Sequence, residues 1–192
     1  MPTPQVNINI QDGGLGRTNA GVDGVTLLVL PVTSVTYAQP TLLGAFYSFE
    51  DFKAQTNLVA DDSVFSDDHI AEGQVFDFYQ ESGNGAKLYV LLYTDNSGIE
   101  DVTTDELENI LNDELNGEVR LVGICFPTDE VDFLNGNPTV IESDLIGAID
   151  SISDKLNQNH MPASFVIEGK GGTVQSATTL DLKTIDKRFI SV

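Results

Sequence analysis

The chain has 192 residues, with 30 acidic and 9 basic side chains, so its formal net charge is −21 and its pI is about 4.1. Such an acidic chain lacks the cationic face that a nucleic acid or an anionic membrane surface requires, and we expect neither as a partner. A hydrophobic fraction of 41% over this length is sufficient for a packed core and distinguishes the chain from acidic disordered proteins.

Cysteine content and apolar runs bear on the cellular compartment. Cys125 is the only cysteine, so no internal disulfide can form and no zinc site can be built from thiolates. The start of the chain has no basic segment followed by an apolar stretch, as a secretory signal would. The longest apolar runs, such as residues 25–31, are far shorter than the ~20 residues of a membrane span. These features predict a soluble protein that remains in the cytoplasm.

The beginning of the chain differs from the rest. A short alternation of apolar and polar residues there is typical of a half-buried strand. Two prolines precede this run and three glycines follow it, which separates it from what comes next. We therefore predict an extended N-terminal arm over residues 1–20 and a core domain over residues 21–192. The strand of the arm consists of Val6, Asn7, Ile8, Asn9 and Ile10, and its hinge contains Gly13, Gly14 and Gly16.

The core domain alternates between strand-like and helix-like stretches. Residues 25–30 form a continuous apolar run that suits a strand buried on both faces. Helices are predicted where capping residues and apolar side chains at helical spacing coincide. The predicted helices cover residues 48–57, 67–81, 103–117 and 138–157, and the predicted strands cover residues 87–93, 119–126 and 163–167, with further strand-like stretches at 173–180 and 187–192.

This alternation predicts an α/β fold, in which a mostly parallel sheet is flanked by helices and the N-terminal β-arm extends from it. Each crossover between parallel strands is expected to be right-handed. The last apolar run, residues 187–192, ends the chain without a turn signal. We expect either that this strand pairs with something beyond the chain or that the chain is a piece of a longer protein.

Polar residues follow two successive predicted strands. Asp95 and Ser97 come after the first, and Thr128 and Asp129 after the second; ligands of α/β folds bind at the carboxyl ends of strands. An Asp-x-Ser-x-Ser run would resemble a metal-ion-dependent adhesion site, but Ile99 stands at the last position and removes one hydroxyl ligand of a hard cation. The same residue types are also ordinary turn formers. A binding module with a cation at these four residues is therefore our alternative functional hypothesis.

No combination of residues indicates catalysis. The glycine-rich stretches at residues 14–19 and 82–87 lack the complete pattern and the context of nucleotide-binding loops, and we interpret them as a hinge and a helix-capping turn. His69 and His160 neighbour no nucleophile motif, and the sequence contains no Gly-x-Ser-x-Gly elbow. We therefore expect neither enzymatic activity nor a cofactor.

In their order and spacing, several segments resemble the N-terminal portion of contractile tail sheath proteins, which occur in phage tails and phage-like contractile injection systems. The resemblance runs from about Val6 to Val192. The segments that carry it are the glycine-containing arm INIQDGGLGRTNAGVDG, the first core strand VTLLVLP, the run SFEDF at Ser48 to Phe52, the helix, turn and strand FDFYQESGNGAKLYVLLY, the strand and proline VRLVGICFPTD, and the helix and strand AIDSISDKLNQNHMPASFVIEG.

The resemblance implies a structural protein without enzymatic activity. Sheath subunits stack as rings around an inner tail tube protein, and their contraction drives that tube through a membrane. They are linked by terminal arms that add strands to the sheet of a neighbouring copy, a role that falls here to the strand from Val6 to Ile10. Sheath subunits continue well past a strand like that of residues 187–192, so the resemblance implies a truncated sheath subunit or a shortened relative. The implied location is the cytoplasm during assembly and then the phage tail or phage-like particle.

Overall fold

The computed structural model describes residues 24–33, 40–56, 58, 67–94, 106–125, 143–167 and 190–191. The arm predicted for residues 1–20 and the strand-like stretch at residues 173–180 lie outside these ranges, as do the starts of the two helices predicted from residues 103 and 138.

Within the described residues the chain forms one sheet with helices on both of its faces, so the prediction of an α/β fold is confirmed. The strands are β1 (Thr26–Pro31), β2 (Thr41–Phe46), β3 (Leu88–Tyr93), β4 (Leu121–Ile124), β5 (Ser164–Ile167) and β6 (Ile190–Ser191). The helices are α1 (Phe49–Gln55), α2 (Asp67–Ser82), α3 (Leu107–Asn109, continued by π-helical turns over Ile110–Glu114) and α4 (Ser143–Gln158).

The order of the strands is β2-β3-β1-β4-β5-β6. β2 is antiparallel to β3, and all other neighbours are parallel, which confirms the prediction of a mostly parallel sheet. Without β2, the spatial order is β3-β1-β4-β5-β6, so the second of these five parallel strands along the chain lies on one side of the first and the other three lie on the opposite side. This is a doubly wound order, in which the chain first builds the sheet to one side of β1 and then to the other.

The two faces of the sheet have separate cores. On the first face, Leu27, Val122 and Phe165 pack in one cluster with apolar residues of α3 and α4. On the second face, Leu30 and Val90 pack in another cluster with residues of α1 and α2. β1 contributes fully buried side chains to both clusters, which confirms the prediction of a strand buried on both faces; within β1 only Leu28 is partly accessible.

Local signals explain the two helices of the second face. The Ser48 side chain accepts a hydrogen bond from the backbone N–H of Asp51 (3.1 Å) and so caps α1. α2 ends at Gly83, which has φ 77° and donates its N–H to the carbonyl of Tyr79 (3.0 Å). Both features confirm predictions from the sequence, including the capping turn within residues 82–87.

β2 is a strand that the sequence analysis did not predict. Its register against β3 shifts between Leu43 and Phe46. Between them lies Gly44, with φ 139°, where a Cβ atom would come within 2.8 Å of the Tyr89 ring. Proline before the strand and glycine within it are poor local indicators of a strand. The extended conformation of β2 therefore depends on its pairing with β3 and on the space that Gly44 leaves for the Tyr89 ring.

Two glycines allow the packing at the end of α3 to be tested. Gly117 has φ 66°, and a Cβ atom there would lie 2.5 Å from Cγ of Met161. Gly73 lies in the exposed middle of α2, where a Cβ atom would meet nothing within 4 Å. Gly117→Ala is expected to lower the free energy of unfolding by about 1–3 kcal/mol, whereas Gly73→Ala should raise it by roughly 0.5–1 kcal/mol. Denaturant unfolding of both variants is the measurement, and equal effects would contradict this packing.

Candidate assembly surface

The helices of the described residues do not cover the second face of the sheet over its whole width. α1 and α2 pack over β1, β2 and β3, whereas outward positions of β4 and β5 remain accessible. Leu121 on β4 is 40% exposed and Val166 on β5 is 45% exposed. On the opposite face of the same two strands, Val122 is 0% and Phe165 is 1% exposed. β4 and β5 are therefore buried from one side only.

The strand register joins these exposed positions into one surface. Leu121 is paired with Ser164, and Gly123 is paired with Val166 and, on its other side, with Leu28. A Cβ atom on Gly123 would lie 2.8 Å from Cδ2 of Leu28, so this half-buried leucine leans over the glycine. We call these five residues the β4–β5 patch; apart from one serine hydroxyl, its side chains are apolar.

The direction of the crossovers explains why this part of the sheet is open. The connection from β1 to β3 carries α1 and α2 over the second face, while the connections to β4 and β5, on the other side of β1, carry α3 and α4 over the first face. These three crossovers have the same hand. Parallel sheets are almost always covered on both faces. The described crossovers therefore leave the β4–β5 patch without the second layer that such sheets usually have.

The two edges of the sheet differ in their suitability for another strand. At one edge, β2 is interrupted by the register shift between Leu43 and Phe46 and by Gly44, and bulges of this kind blunt an edge against pairing. At the other edge, β6 has only two residues, Ile190 and Ser191, in the described part of the chain.

A second group of exposed apolar side chains lies on the outer side of α1 and α2. Phe76 is 43% exposed, but its ring packs edge-on against Phe49 at 5.3 Å between centroids. Nζ of Lys53 lies 5.5 Å from the centre of the same Phe49 ring. Tyr47, which is 49% exposed, precedes the capping residue of α1. The side chains of Phe49, Phe76 and Lys53 thus partly cover one another.

At the amino ends of the strands, a charged cluster has a structural role. Nζ of Lys87 lies 2.5 Å from Oε1 of Glu118, and the hydroxyl of Tyr89 donates to Oε2 at 3.1 Å. The hydrogen bond to Glu118 raises the pKa of Lys87, and the same bond lowers the pKa of Glu118. Lys87 precedes β3 and Glu118 precedes β4, and these two strands lie on either side of β1. The ion pair therefore links β3 to β4 across the first residues of β1.

The carboxyl ends of the strands are where the sequence predicted a cation site. Asp95, Ser97, Thr128 and Asp129 all lie outside the described residues, and so do the arm residues from Val6 to Gly16. The strand order does put the ends of β3 and β4 on either side of β1, which is the switch point where doubly wound sheets bind ligands. In the described part of the chain, no group of three or more His, Cys, Asp and Glu could hold a metal ion.

Three polar residues of the described part lie at this switch point. Oδ1 of Asp68, near the start of α2, accepts a hydrogen bond from the backbone N–H of Thr33 at 2.7 Å, and Asp68 is 5% exposed. Thr94, which directly follows β3, is also 5% exposed, and its hydroxyl finds no partner in the structure as described. These groups make the edge polar but do not by themselves form a ligand set.

The model of one protein family, described as DUF2586, N-terminal domain, matches residues 3–192. The chain belongs to this family. The single DUF2586 match covers both the predicted arm and the core domain. No curated protein and no solved structure matches the chain. Within the described residues of this DUF2586 domain, no helix combines the length and the apolar character needed to cross a membrane.

The β4–β5 patch was not predicted from the sequence. The stretch from residue 119 to 126 is predicted only as a strand, without an assignment of its two faces. Two local signals are compatible with an open face: Gly123 in the middle of β4 and the exposed Ser164 at the start of β5. Neither is specific, because which face stays open depends on the path of the crossovers.

Replacement of valine by threonine at two positions, one in the patch and one in the core, tests whether the patch is exposed in the isolated chain. Val166→Thr places a hydroxyl at an exposed position and is expected to change the free energy of unfolding by less than about 0.5 kcal/mol. Val122→Thr, on the neighbouring strand, buries a hydroxyl and should cost roughly 1–3 kcal/mol. Denaturant unfolding at low protein concentration measures both. If Val166→Thr were as costly as Val122→Thr, the patch would already be covered within one chain.

Proposed function

We propose that this protein is a structural, non-enzymatic subunit of the contractile tail sheath type, which assembles into rings and a helical tube around an inner tube protein. The observation that carries the proposal is the β4–β5 patch. A parallel sheet with one face open over its last strands is an incomplete layer, and contiguous exposed apolar surface marks sites of protein–protein contact. A subunit that completes its sheet with material from a neighbour has this property.

The sequence supports the same proposal along its whole length. The resemblance to the N-terminal portion of sheath proteins runs from about Val6 to Val192, nearly the span of the DUF2586 match. The partners are then other copies of this chain and the tube protein, and the final location is a phage tail or a phage-like particle.

The net charge of −21 per copy sets a condition on assembly. Copies that carry this charge repel one another, and added salt screens the repulsion over a Debye length of about 8–10 Å. Contacts between copies therefore form more readily as the ionic strength rises, which is opposite to the behaviour of assemblies held by ion pairs. This salt dependence is a property that an experiment can follow.

Deletion of residues 1–16 is expected to abolish linkage between subunits while leaving the core folded. Negative-stain electron microscopy of the concentrated protein over a salt series should find rings, ladders or tubes for the full chain and none for the deletion variant. The thermal unfolding curve of the deletion variant should stay close to that of the full chain, because the arm binds a neighbour and not its own core.

A matched pair of full-length variants tests whether assembly depends on the apolar side chains of the arm or only on the length of the arm. Replacement of Val6, Ile8 and Ile10 by Asn should reproduce the deletion, whereas replacement of Asn7 and Asn9 by Ser should preserve assembly. A full chain that stays monomeric at every salt concentration would contradict self-assembly by this chain. A large fall in melting temperature on deletion would make the strand part of the core and contradict its role as a linking arm.

A second candidate function is a metal-ion-dependent binding module, and the strand order favours it. The loops that contain Asp95 and Ser97, and Thr128 and Asp129, follow the two strands that flank β1. Ligands of doubly wound sheets bind between such loops, and the buried Thr94 hydroxyl immediately precedes the first of them. Acidic and hydroxyl oxygens are suitable ligands for Mg²⁺ or Ca²⁺.

Thermal unfolding with and without divalent cations tests this second function. A cation at a hundred times its dissociation constant should raise the melting temperature by roughly 5–10 °C, because it binds only the folded state. Asp95→Ala should erase the rise, while Asp77→Ala, on the exposed side of α2, should preserve it. The absence of any rise with millimolar Mg²⁺ or Ca²⁺ would rule out the cation module.

A further inference from the structure

The β4–β5 patch has the dimensions of a single extended segment. It crosses β1, β4 and β5, which neighbour one another in the sheet; at about 4.8 Å between strands, this corresponds to a width of roughly 10 Å. Along each strand, outward positions recur every second residue, at about 7 Å. One short strand laid over Leu121 and Val166 would therefore cover the exposed apolar side chains of the patch.

One segment of this chain has side chains that match this surface. In residues 6–10, Val6, Ile8 and Ile10 alternate with Asn7 and Asn9. In an extended conformation such an alternation puts the apolar side chains on one face and the amides on the other. The apolar face can pack against the patch while the asparagine amides remain in contact with water.

Charge distinguishes the same segment from the rest of the chain. Residues 1–20 contain only Asp12 and Arg17 as charged side chains, so the entire net charge of −21 belongs to residues 21–192. No charged side chain occurs before Asp12. The arm can therefore approach the acidic surface of another copy without the repulsion that opposes contact between two core domains.

The length of the connecting chain permits contact beyond the arm's own core. The first core strand begins at Thr26, and residues 11–23 separate the arm strand from the described core. Fully extended, this connection spans at most roughly 45 Å, which is slightly more than the ~40 Å diameter expected of a domain of this size. Glycines at four of its positions permit the sharp changes of direction that such a path requires.

From these observations we infer that the N-terminal arm of one copy lies across the β4–β5 patch of a neighbouring copy, with Val6, Ile8 and Ile10 facing Leu121 and Val166. The inference rests on the proposed function for its choice of a neighbour over the same chain. It differs from simple addition of a strand at an edge, because the arm covers the open face of β4 and β5 as the missing layer of a parallel sheet.

Disulfide trapping between two differently tagged copies tests this contact. Both copies carry Cys125→Ala, which removes the native thiol; one also carries Ile8→Cys and the other Val166→Cys. They are mixed at high protein and salt concentration and exposed to a mild oxidant. Because docking holds the two thiols at a high local concentration, the mixed disulfide dimer should form at least about ten times faster than in a random encounter. Non-reducing electrophoresis resolves it from both homodimers.

Matched controls set the random rate. Phe76→Cys replaces Val166→Cys in one control, because Phe76 is exposed to a similar extent, 43%, on a different face. Asn7→Cys replaces Ile8→Cys in the other and tests the alternation of the arm. Mixed dimers that form no faster with Ile8 and Val166 than with these controls would overturn the inference. A single chain that carries both Ile8→Cys and Val166→Cys can also be oxidised at high dilution. Formation of an intramolecular disulfide in that chain would overturn the inference as well.

The experiment separates this inference from the proposed function. Rings or tubes in the microscope without the mixed disulfide would overturn the docking of the arm on this patch and leave the sheath proposal intact. The mixed disulfide without rings or tubes would support the docking and contradict tube assembly by this chain. Absence of both would contradict both.

Discussion

The common hand of the crossovers is the constraint on which the surface of this domain depends. β1 is both the first strand and an inner strand, so the chain must extend the sheet to both sides of it. A fixed hand then sends α1 and α2 over one face and α3 and α4 over the other. As a result, none of the described helices lies on the second face over β4 and β5. The exposure of Leu121 and Val166 thus follows from the topology and is not an isolated feature of two side chains.

The elements that could be predicted from the sequence are those whose causes are local. α1 was predicted from Ser48 and the acidic first turn, and the Ser48 side chain does cap the helix. β1 was predicted from a continuous apolar run, and its burial on both faces produces that run. β2 could not be predicted in this way, because Gly44 is accommodated by the Tyr89 ring of the adjacent strand. The open face of β4 and β5 could not be predicted from the sequence either, since it depends on the connections between strands.

The same distinction applies to functional residues. Asp95 and Ser97 can be proposed from the sequence because polar residues after an apolar strand are a local pattern; the strand order adds that the second polar pair follows the strand on the other side of β1. The patch has only weak local signals, Gly123 and Ser164, each of which is common in ordinary strands. The patch is exposed because no described helix packs on it, and this can be identified only after each helix has been assigned to a face of the sheet. For this domain, that surface carries more of the functional argument than any motif.

The strength of the patch limits how it can act. Completing the burial of Leu121 and Val166 would contribute about 1–3 kcal/mol, given ~1.5–3 kcal/mol for full burial of each such side chain. That is roughly a ten- to hundredfold effect on an equilibrium, too little to hold two acidic copies together against the entropy lost on association. One contact of this kind is therefore useful only if it is repeated. In the closed ring of the proposed function, each copy would both give and receive an arm, so that every further contact would form at high effective concentration. A weak patch and a net charge of −21 together favour assembly that sets in steeply with concentration and salt, as expected of a polymer and not of an isolated dimer.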